Sequence, residues 1–293
     1  MKEFFKRLFG WSTPRPAPGP VVDRNTSGAT HRSGTAPAPV DKPASKGKRR
    51  LIIGLDFGTA FTKVVIGESR VHYGVAFPSA KGSANPYLLP GAFYQTSGGI
   101  CSLRKTEGSA MQFDHFKMRL LEGDTSLASK RETATFLALV FHECRSWLMD
   151  QHGNTYRGYD IDWYVNAGLP TEGSHDEKLK SVYQEILEAA WCASLSGEAM
   201  TQRLVQQCLT APKTALQQNQ QSKMIASDAI ALFPEFVAQI SGYVRSPKRR
   251  EDIHAIVDVG AGTVDITTFN IDDRGERFAI FTKSVPPLGV EYL

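Results

Sequence analysis

The pattern of apolar and polar residues changes abruptly near residue 50. Residues 51–58 form an apolar run that enters an Asp-x-Gly turn, and residues 62–68 and 71–77 follow as two further apolar stretches. Strand-length apolar runs separated by short turns predict a meander of three strands. A hairpin built in the same way is predicted at 254–271.

The segment between these hairpins predicts a mixture of helices and strands. A strongly apolar helix is predicted at 133–149 and a buried strand at 161–169. Further helices are predicted at 175–193, 201–217 and 226–244, the last one kinked or restarted at Pro234. The glycine-rich and polar residues 78–127 predict an inserted, loop-rich subdomain. The order of elements predicts an α/β fold for residues 51–293.

The first fifty residues differ from the remainder in composition. Residues 12–50 contain seven prolines and no Leu, Ile, Met or aromatic residue, a composition that predicts a disordered linker. Residues 1–11 read MKEFFKRLFGW, in which apolar and basic residues segregate as on a short amphipathic helix. Three interpretations stay open for this helix: an N-terminus without a partner, an anchor on an anionic membrane surface, or a ligand for a groove on a partner protein.

Charge and cysteine content exclude several classes of protein. Residues 1–50 hold eleven Lys and Arg against three acidic residues, a balance of +8, which leaves −4 for residues 51–293 out of the total of +4. The main domain is therefore not expected to bind nucleic acid. The four cysteines form no CxxC pair, which argues against a disulfide scaffold or structural zinc. We expect a cytoplasmic protein, with residues 1–11 allowing peripheral contact with the inner membrane surface.

The two hairpins share an unusual combination of residues. LDFGTAFTKVVI (55–66) and VDVGAGTVDITTF (257–269) each contain a strand, Asp-x-Gly, a turn of small residues and a second strand. Glycine turns let backbone N–H groups approach an anion. An aspartate beside a phosphate requires a divalent cation between them. The pair of hairpins therefore predicts a nucleotide phosphate site with Asp56 and Asp258 near a metal.

These motifs resemble those of the actin-like ATPase superfamily, which includes actin, bacterial actin-like filaments, sugar kinases and the DnaK-type chaperones. The resemblance covers residues 51–293 and implies the two-lobed actin-like fold, ATP and Mg²⁺. It implies that Asp56 and Asp258 hold the metal through water. The turn residues that it assigns to the phosphates are Gly58, Thr59, Ala60, Gly260, Ala261, Gly262 and Thr263.

The branch of the superfamily stays open. WYVNAGLP, GAGTVDIT and SVPPLGVEYL resemble the chaperones, and so does FKMRLL, which would make Lys117 catalytic. Lys63 resembles the phosphate-binding lysine of actin and the segregation filaments, and Glu235 their water-positioning glutamate. Ala60 lacks the hydroxyl usual in the chaperones, and Phe233 stands where they carry a glutamate.

Each of the three charged residues has an ordinary structural alternative. Lys63 and Lys117 are compatible with solvated surface charges, and Glu235 with a carboxylate that offsets a helix dipole. Relative to the superfamily, we expect the second lobe to be incomplete, through fragmentation or natural truncation.

Two functions follow from the resemblance. The first is a weak, Mg²⁺-dependent ATPase that acts as a nucleotide-driven, chaperone-like switch on a client protein. The second is a membrane-tethered, self-assembling actin-like filament or scaffold with little or no hydrolysis. A sugar kinase is less favoured, because no sugar-binding segment is recognisable.

Overall fold

The first apolar run forms the centre of a six-stranded sheet. The computed structural model describes residues 45–77, 85–169, 176–210, 227–244, 246–271, 278–284, 286 and 288–290. The predicted helix at 1–11 and the predicted linker up to residue 44 lie outside these residues. Strand β1 (Lys48–Phe57) pairs antiparallel with β2 (Phe61–Glu68) and parallel with β8 (Asp160–Leu169). β2 also pairs with β3 (Val71–Gly74) and β4 (Leu89–Pro90).

The predicted boundary at Leu51 is three residues too late. β1 begins at Lys48, so the last residues assigned to the linker belong to the sheet. The guanidinium groups of Arg49 and Arg50 each lie 4.6 Å from the ring centroid of a tyrosine, Tyr159 and Tyr164 respectively. Cation–π contact and pairing with β8 therefore draw this basic run onto the sheet.

The prediction of helix at 226–244, kinked or restarted at Pro234, is wrong in its first half. Residues Ile230–Pro234 form β9, which pairs parallel with β8 from Val165 to Leu169. Pairing with a buried strand overrides the local helical preference. Pro234 ends the strand, and helix α5 (Glu235–Val244) begins at the next residue. Of the two predicted alternatives, a kink or a restart at Pro234, the structure shows the restart.

Four helices precede α5 in the described residues. They are α1 (Phe116–Leu121), α2 (Leu127–Tyr156), α3 (Glu177–Ser194) and α4 (Gln202–Thr210). α2 and α3 confirm the helices predicted at 133–149 and 175–193, and α4 is the described part of the one predicted at 201–217. α2 begins earlier than predicted because the Ser126 side chain accepts a hydrogen bond from the Ser129 N–H and caps it. No described helix combines the length and apolarity needed to cross a membrane.

The main core lies between the sheet and helices α2 and α3. Phe136 of α2 lies with its ring centroid 6.0 Å from that of Phe57 of β1. Trp191 of α3, fully buried, contacts Phe141 of α2 at 5.5 Å and Trp163 of β8 at 6.0 Å between centroids. These aromatic contacts hold both helices against the central strands.

The region predicted as a loop-rich insertion contains a second, small sheet. β5 (Phe93–Thr96) lies between β6 (Cys101–Ser102) and β7 (Ser109–Phe113). These strands are too short to carry a periodic signal, which is why sequence reasoning missed them. Phe93 stacks on both Phe113 and Phe116, at 4.7 and 5.7 Å between centroids, and so attaches this sheet to α1.

The second hairpin belongs to a separate sheet of three strands. β10 (Ile253–Val259), β11 (Val264–Ile271) and β12 (Phe278–Ser284) are antiparallel, which confirms the hairpin predicted at 254–271. Apolar residues of α5 pack against Phe269 and Ile271 to form a second, smaller core. The described part of the chain is thus mixed α/β, with one core for each Asp-x-Gly hairpin.

Candidate functional site

The two Asp-x-Gly turns have the same backbone geometry. The Gly58 N–H donates to the Phe61 carbonyl at 3.2 Å, and the Gly260 N–H donates to the Thr263 carbonyl at 2.8 Å. A Cβ at Gly58 would lie 2.4 Å from the Phe61 oxygen, closer than side chains approach backbone. The first glycine is therefore required by this closed turn, and the sequence repeat is also a structural repeat.

The strands that flank the two turns are also in the same register. Asp56 lies opposite Lys63 across β1 and β2, and Asp258 lies opposite Asp265 across β10 and β11. The residue seven positions after each motif aspartate is therefore its cross-strand neighbour. A lysine occupies that place in the first hairpin and a second carboxylate occupies it in the second.

The two turns approach each other beside helix α1. A Cβ at Gly262 would lie 3.5 Å from Cγ2 of Thr59 and 3.0 Å from Sδ of Met118. Thr59 belongs to the first turn, Gly262 to the second, and Met118 follows Lys117 on α1. The residues that the resemblance assigns to the phosphates thus lie in two neighbouring turns. They are Gly58, Thr59, Ala60, Gly260, Ala261, Gly262 and Thr263.

Lys63 lies among carboxylates from three elements. Its Nζ is 2.6 Å from Oδ2 of Asp56. This hydrogen bond is the main reason that the pKa of Lys63 is raised above its ordinary value; burial opposes it, and the charges of Asp56, Asp258 and Glu235 reinforce it. Lys63 is thus a surface charge, 54% exposed, that is paired with a carboxylate. The two motif aspartates and Glu235 all lie within electrostatic range of one ammonium group.

Lys117 and Glu235, which are 118 residues apart in sequence, form a buried ion pair. Lys117 Nζ lies 2.5 Å from Glu235 Oε1, and the two side chains are only 9% and 16% exposed. Lys117 is therefore not a solvated charge. Glu235 is the first residue of α5 and so also lies where a carboxylate favours the helix dipole. The pair joins α1 to the start of α5.

Gln239 is a site residue that sequence reasoning missed. Its Nε2 donates a hydrogen bond to Oδ2 of Asp258. Gln239 lies four residues after Glu235, so both side chains point from the same face of α5. That spacing after the Pro-Glu motif was the available signal. One helix face therefore holds Lys117 through Glu235 and the second motif aspartate through Gln239.

The turn of the second hairpin is covered by the segment that follows β12. Pro286 accepts from the Val264 N–H at 3.0 Å, and the Val290 N–H donates to the Gly260 carbonyl at 3.1 Å. A Cβ at Gly289 would lie 2.1 Å from the Ala261 oxygen, so backbone contacts backbone there. The described residues of this segment thus hold the second turn from outside.

Phe233 belongs to β9 and is 7% exposed. It is opposite Gly168 across the strand pair. A Cβ at Gly168 would lie 2.9 Å from Cγ of Glu235, so the Glu235 side chain lies directly over this glycine. Position 233 is therefore a buried aromatic of β9, and Glu235 supplies the carboxylate that lies over Gly168.

The donor atoms at the site fit a hard divalent cation. Mg²⁺ binds one or two protein carboxylates and completes its shell with water and substrate phosphates. Asp56 and Asp258 supply two carboxylates near Lys63. The negative charges of these carboxylates offset the positive charge of the Lys63 ammonium group. No group of three or more His, Cys, Asp or Glu side chains in the described residues forms an all-protein metal cage. A metal at this site would therefore depend on phosphate oxygens.

Comparison with known proteins adds no relative. No protein-family model matches the chain, and no curated protein matches it.

Proposed function

We propose that this protein binds ATP with Mg²⁺ between the two Asp-x-Gly turns, in an actin/DnaK-type nucleotide fold. The observation that carries the proposal is the meeting of two turns with the same backbone hydrogen bond near Lys63 and two aspartates. A single Asp-x-Gly turn occurs in ordinary hairpins, whereas two neighbouring ones bring backbone amides and carboxylates of two hairpins together.

The acidic and basic residues of the site would have different roles in binding the nucleotide. Asp56 and Asp258 would hold Mg²⁺, which neutralises charge on the β- and γ-phosphates. The backbone N–H groups of the two turns would receive the phosphate oxygens. Lys63 and Lys117 supply positive charge at the first turn and at α1. Lys63 is paired with Asp56 and Lys117 with Glu235. When nucleotide binds, phosphate oxygens would replace these carboxylates as the partners of the two lysines.

We propose that hydrolysis is slow. A water that attacks the γ-phosphate must lose a proton, and Glu235 is the carboxylate best placed to orient that water and receive the proton. Glu235 Oε1 already accepts a hydrogen bond from Lys117, so this contact must rearrange before Glu235 can bind the attacking water. The nucleotide would therefore act mainly as a switch, with α5 linking the occupied turns to the second sheet in a chaperone-like response to a client.

A second candidate, a membrane-tethered actin-like filament or scaffold with little hydrolysis, is favoured by one observation. The Lys63–Asp56 pair and a glutamate directly after Pro234 are the features that resemble the segregation filaments. Nucleotide-dependent pelleting of the full chain would support the filament. A monomer by light scattering with ATP and Mg²⁺ would support the switch. Residues 1–11, the proposed contact with anionic lipid, lie outside the described residues.

The experiment that tests nucleotide binding is a titration with a fluorescent ATP analogue, with Mg²⁺ and with EDTA. We expect Asp56→Asn and Asp258→Asn each to weaken Mg²⁺-dependent binding by about 100-fold or more, because metal sites lose affinity steeply when their ligands are removed. Asp150→Asn, an exposed carboxylate on α2, is the matched control. If both site variants keep the affinity of the parent, the phosphate site is wrongly assigned.

A further inference from the structure

Two of the four cysteines are in direct contact. Cys192 lies on α3 and Cys208 on α4, and their sulfur atoms are 3.2 Å apart. The Cys208 thiol donates a hydrogen bond to Sγ of Cys192. The other two cysteines have no such partner among the described residues: Cys101 donates to the Gly99 carbonyl, and Cys144 is fully buried on α2. The pair is thus distinct in geometry from the other thiols.

We propose that Cys192 and Cys208 are a reversible oxidation site, which a hydroperoxide converts to a disulfide between α3 and α4. The Cys192 thiolate attacks one peroxide oxygen, which breaks the O–O bond, releases water and leaves a sulfenic acid. The Cys208 thiol then displaces that hydroxyl as a second water. Two thiols and one hydrogen peroxide thus give one disulfide and two waters, and a small thiol reverses the step by exchange.

The contact between the two thiols favours Cys192 as the first to react. The hydrogen bond from Cys208 lowers the pKa of Cys192, since it stabilises the thiolate, and it raises the pKa of the donor thiol. Burial raises the pKa of Cys101 to about 11 and raises that of Cys144 further. Because the thiolate is the form that attacks peroxide, oxidation is directed to the pair.

Helix α4 provides access to the two buried sulfurs. It has nine residues, of which Val205 and Cys208 are buried and Leu204 and Leu209 are partly buried against the core. Side-chain hydrogen bonds from Arg131 to Gln202 and Gln206 help to attach it to α2. Because α4 is so short, it opens locally at lower cost than α2 or α3. A disulfide would close a short loop, so it would hinder this opening and raise the thermal unfolding midpoint.

Peptide mapping of the full chain tests the proposal. Arg203 lies between the two cysteines, so trypsin separates them onto different peptides unless a disulfide joins them. After treatment with hydrogen peroxide, we expect the intact mass to fall by two hydrogen atoms. The Cys192 and Cys208 peptides should run as one linked species that dithiothreitol separates.

Cys192→Ser and Cys208→Ser should each abolish the linked species, whereas the matched variants Cys101→Ser and Cys144→Ser should keep it. The wild-type map needs no variant, so misfolding of a serine variant leaves the test intact. The proposal is overturned if peroxide gives only sulfinic acid on separate peptides. It is also overturned if the linked peptides contain Cys101 or Cys144 instead.

Discussion

The two Asp-x-Gly hairpins have the same turn but different support. β1 lies inside a six-stranded sheet with neighbours on both sides, and every second residue from Leu51 to Leu55 is buried. β10 is an edge strand of the second sheet and has no buried residue. The first hairpin is therefore held by strands on both sides, whereas the second depends on β12, α5 and the segment after β12.

The hairpins differ equally in how each aspartate is balanced. Asp56 meets Lys63 of its own partner strand, a contact that antiparallel register alone provides. Asp258 faces Asp265 across the strands and receives its hydrogen bond from Gln239 of α5. The first half-site is therefore complete within a hairpin, while the second needs a helix positioned through the Lys117–Glu235 pair.

The largest effect is expected from breaking that ion pair. Lys117→Met leaves the buried Glu235 carboxylate without its cation, so we expect the free energy of unfolding to fall by about 3–5 kcal/mol. Urea denaturation measures this loss. The double variant Lys117→Met/Glu235→Leu should recover most of it, because no charge stays buried. A loss below about 1 kcal/mol in the single variant would contradict the role of the pair.

The next effect compares the two turn glycines. Gly58→Ala places a Cβ 2.4 Å from a carbonyl oxygen, whereas Gly260→Ala places one at 3.1 Å. Overpacking costs up to about 3 kcal/mol for the first and about 1 kcal/mol for the second. Thermal unfolding of both variants beside the wild type checks the order. Equal losses would contradict the difference in closeness between the two turns.

The third effect isolates the dependence of the second hairpin on α5. Gln239→Ala frees the Asp258 carboxylate to turn, so we expect the Mg²⁺ concentration for half-maximal nucleotide binding to rise about tenfold, the scale of effects from residues that orient ligands. Ser241→Ala on the same helix is the control, since that hydroxyl bonds the Ala238 carbonyl. An unchanged Mg²⁺ requirement in Gln239→Ala would restrict Gln239 to packing.

The smallest effect is expected at the exposed pair of the first hairpin. Lys63 and Asp56 are 54% and 48% exposed, so their pair contributes less than about 1 kcal/mol and weakens with salt. The hydrogen bond that Lys63 donates to Asp56 raises the pKa of Lys63 above 10.5, so the contribution is present below that pH and is lost as pH rises through the raised pKa.

The stability difference between the wild type and Lys63→Met, measured by urea unfolding, should accordingly stay constant near neutral pH. It should disappear in strongly alkaline buffer. A difference that grows with rising pH would have the wrong sign for this pair.

Much of the local structure followed from the sequence. Strong apolar periodicity predicted five features: the meander β1–β3, the second hairpin, β8, α2 and α3. The strand β9 was missed because its conformation depends on pairing with β8, and the small sheet β5–β7 because its strands are very short. The redox pair was missed because Cys192 and Cys208 are adjacent only after α3 and α4 pack.

The sequence by itself determined the two hairpins, since Asp-x-Gly, a small turn and alternating apolar residues specify register within about fifteen positions. The same register places Lys63 directly across the strands from Asp56. Only the tertiary structure decided that Lys117 is buried against Glu235 and that Gln239 reaches Asp258. Such contacts join residues from different elements, and their geometry depends on how α1, α5 and the second sheet pack, which no local pattern encodes.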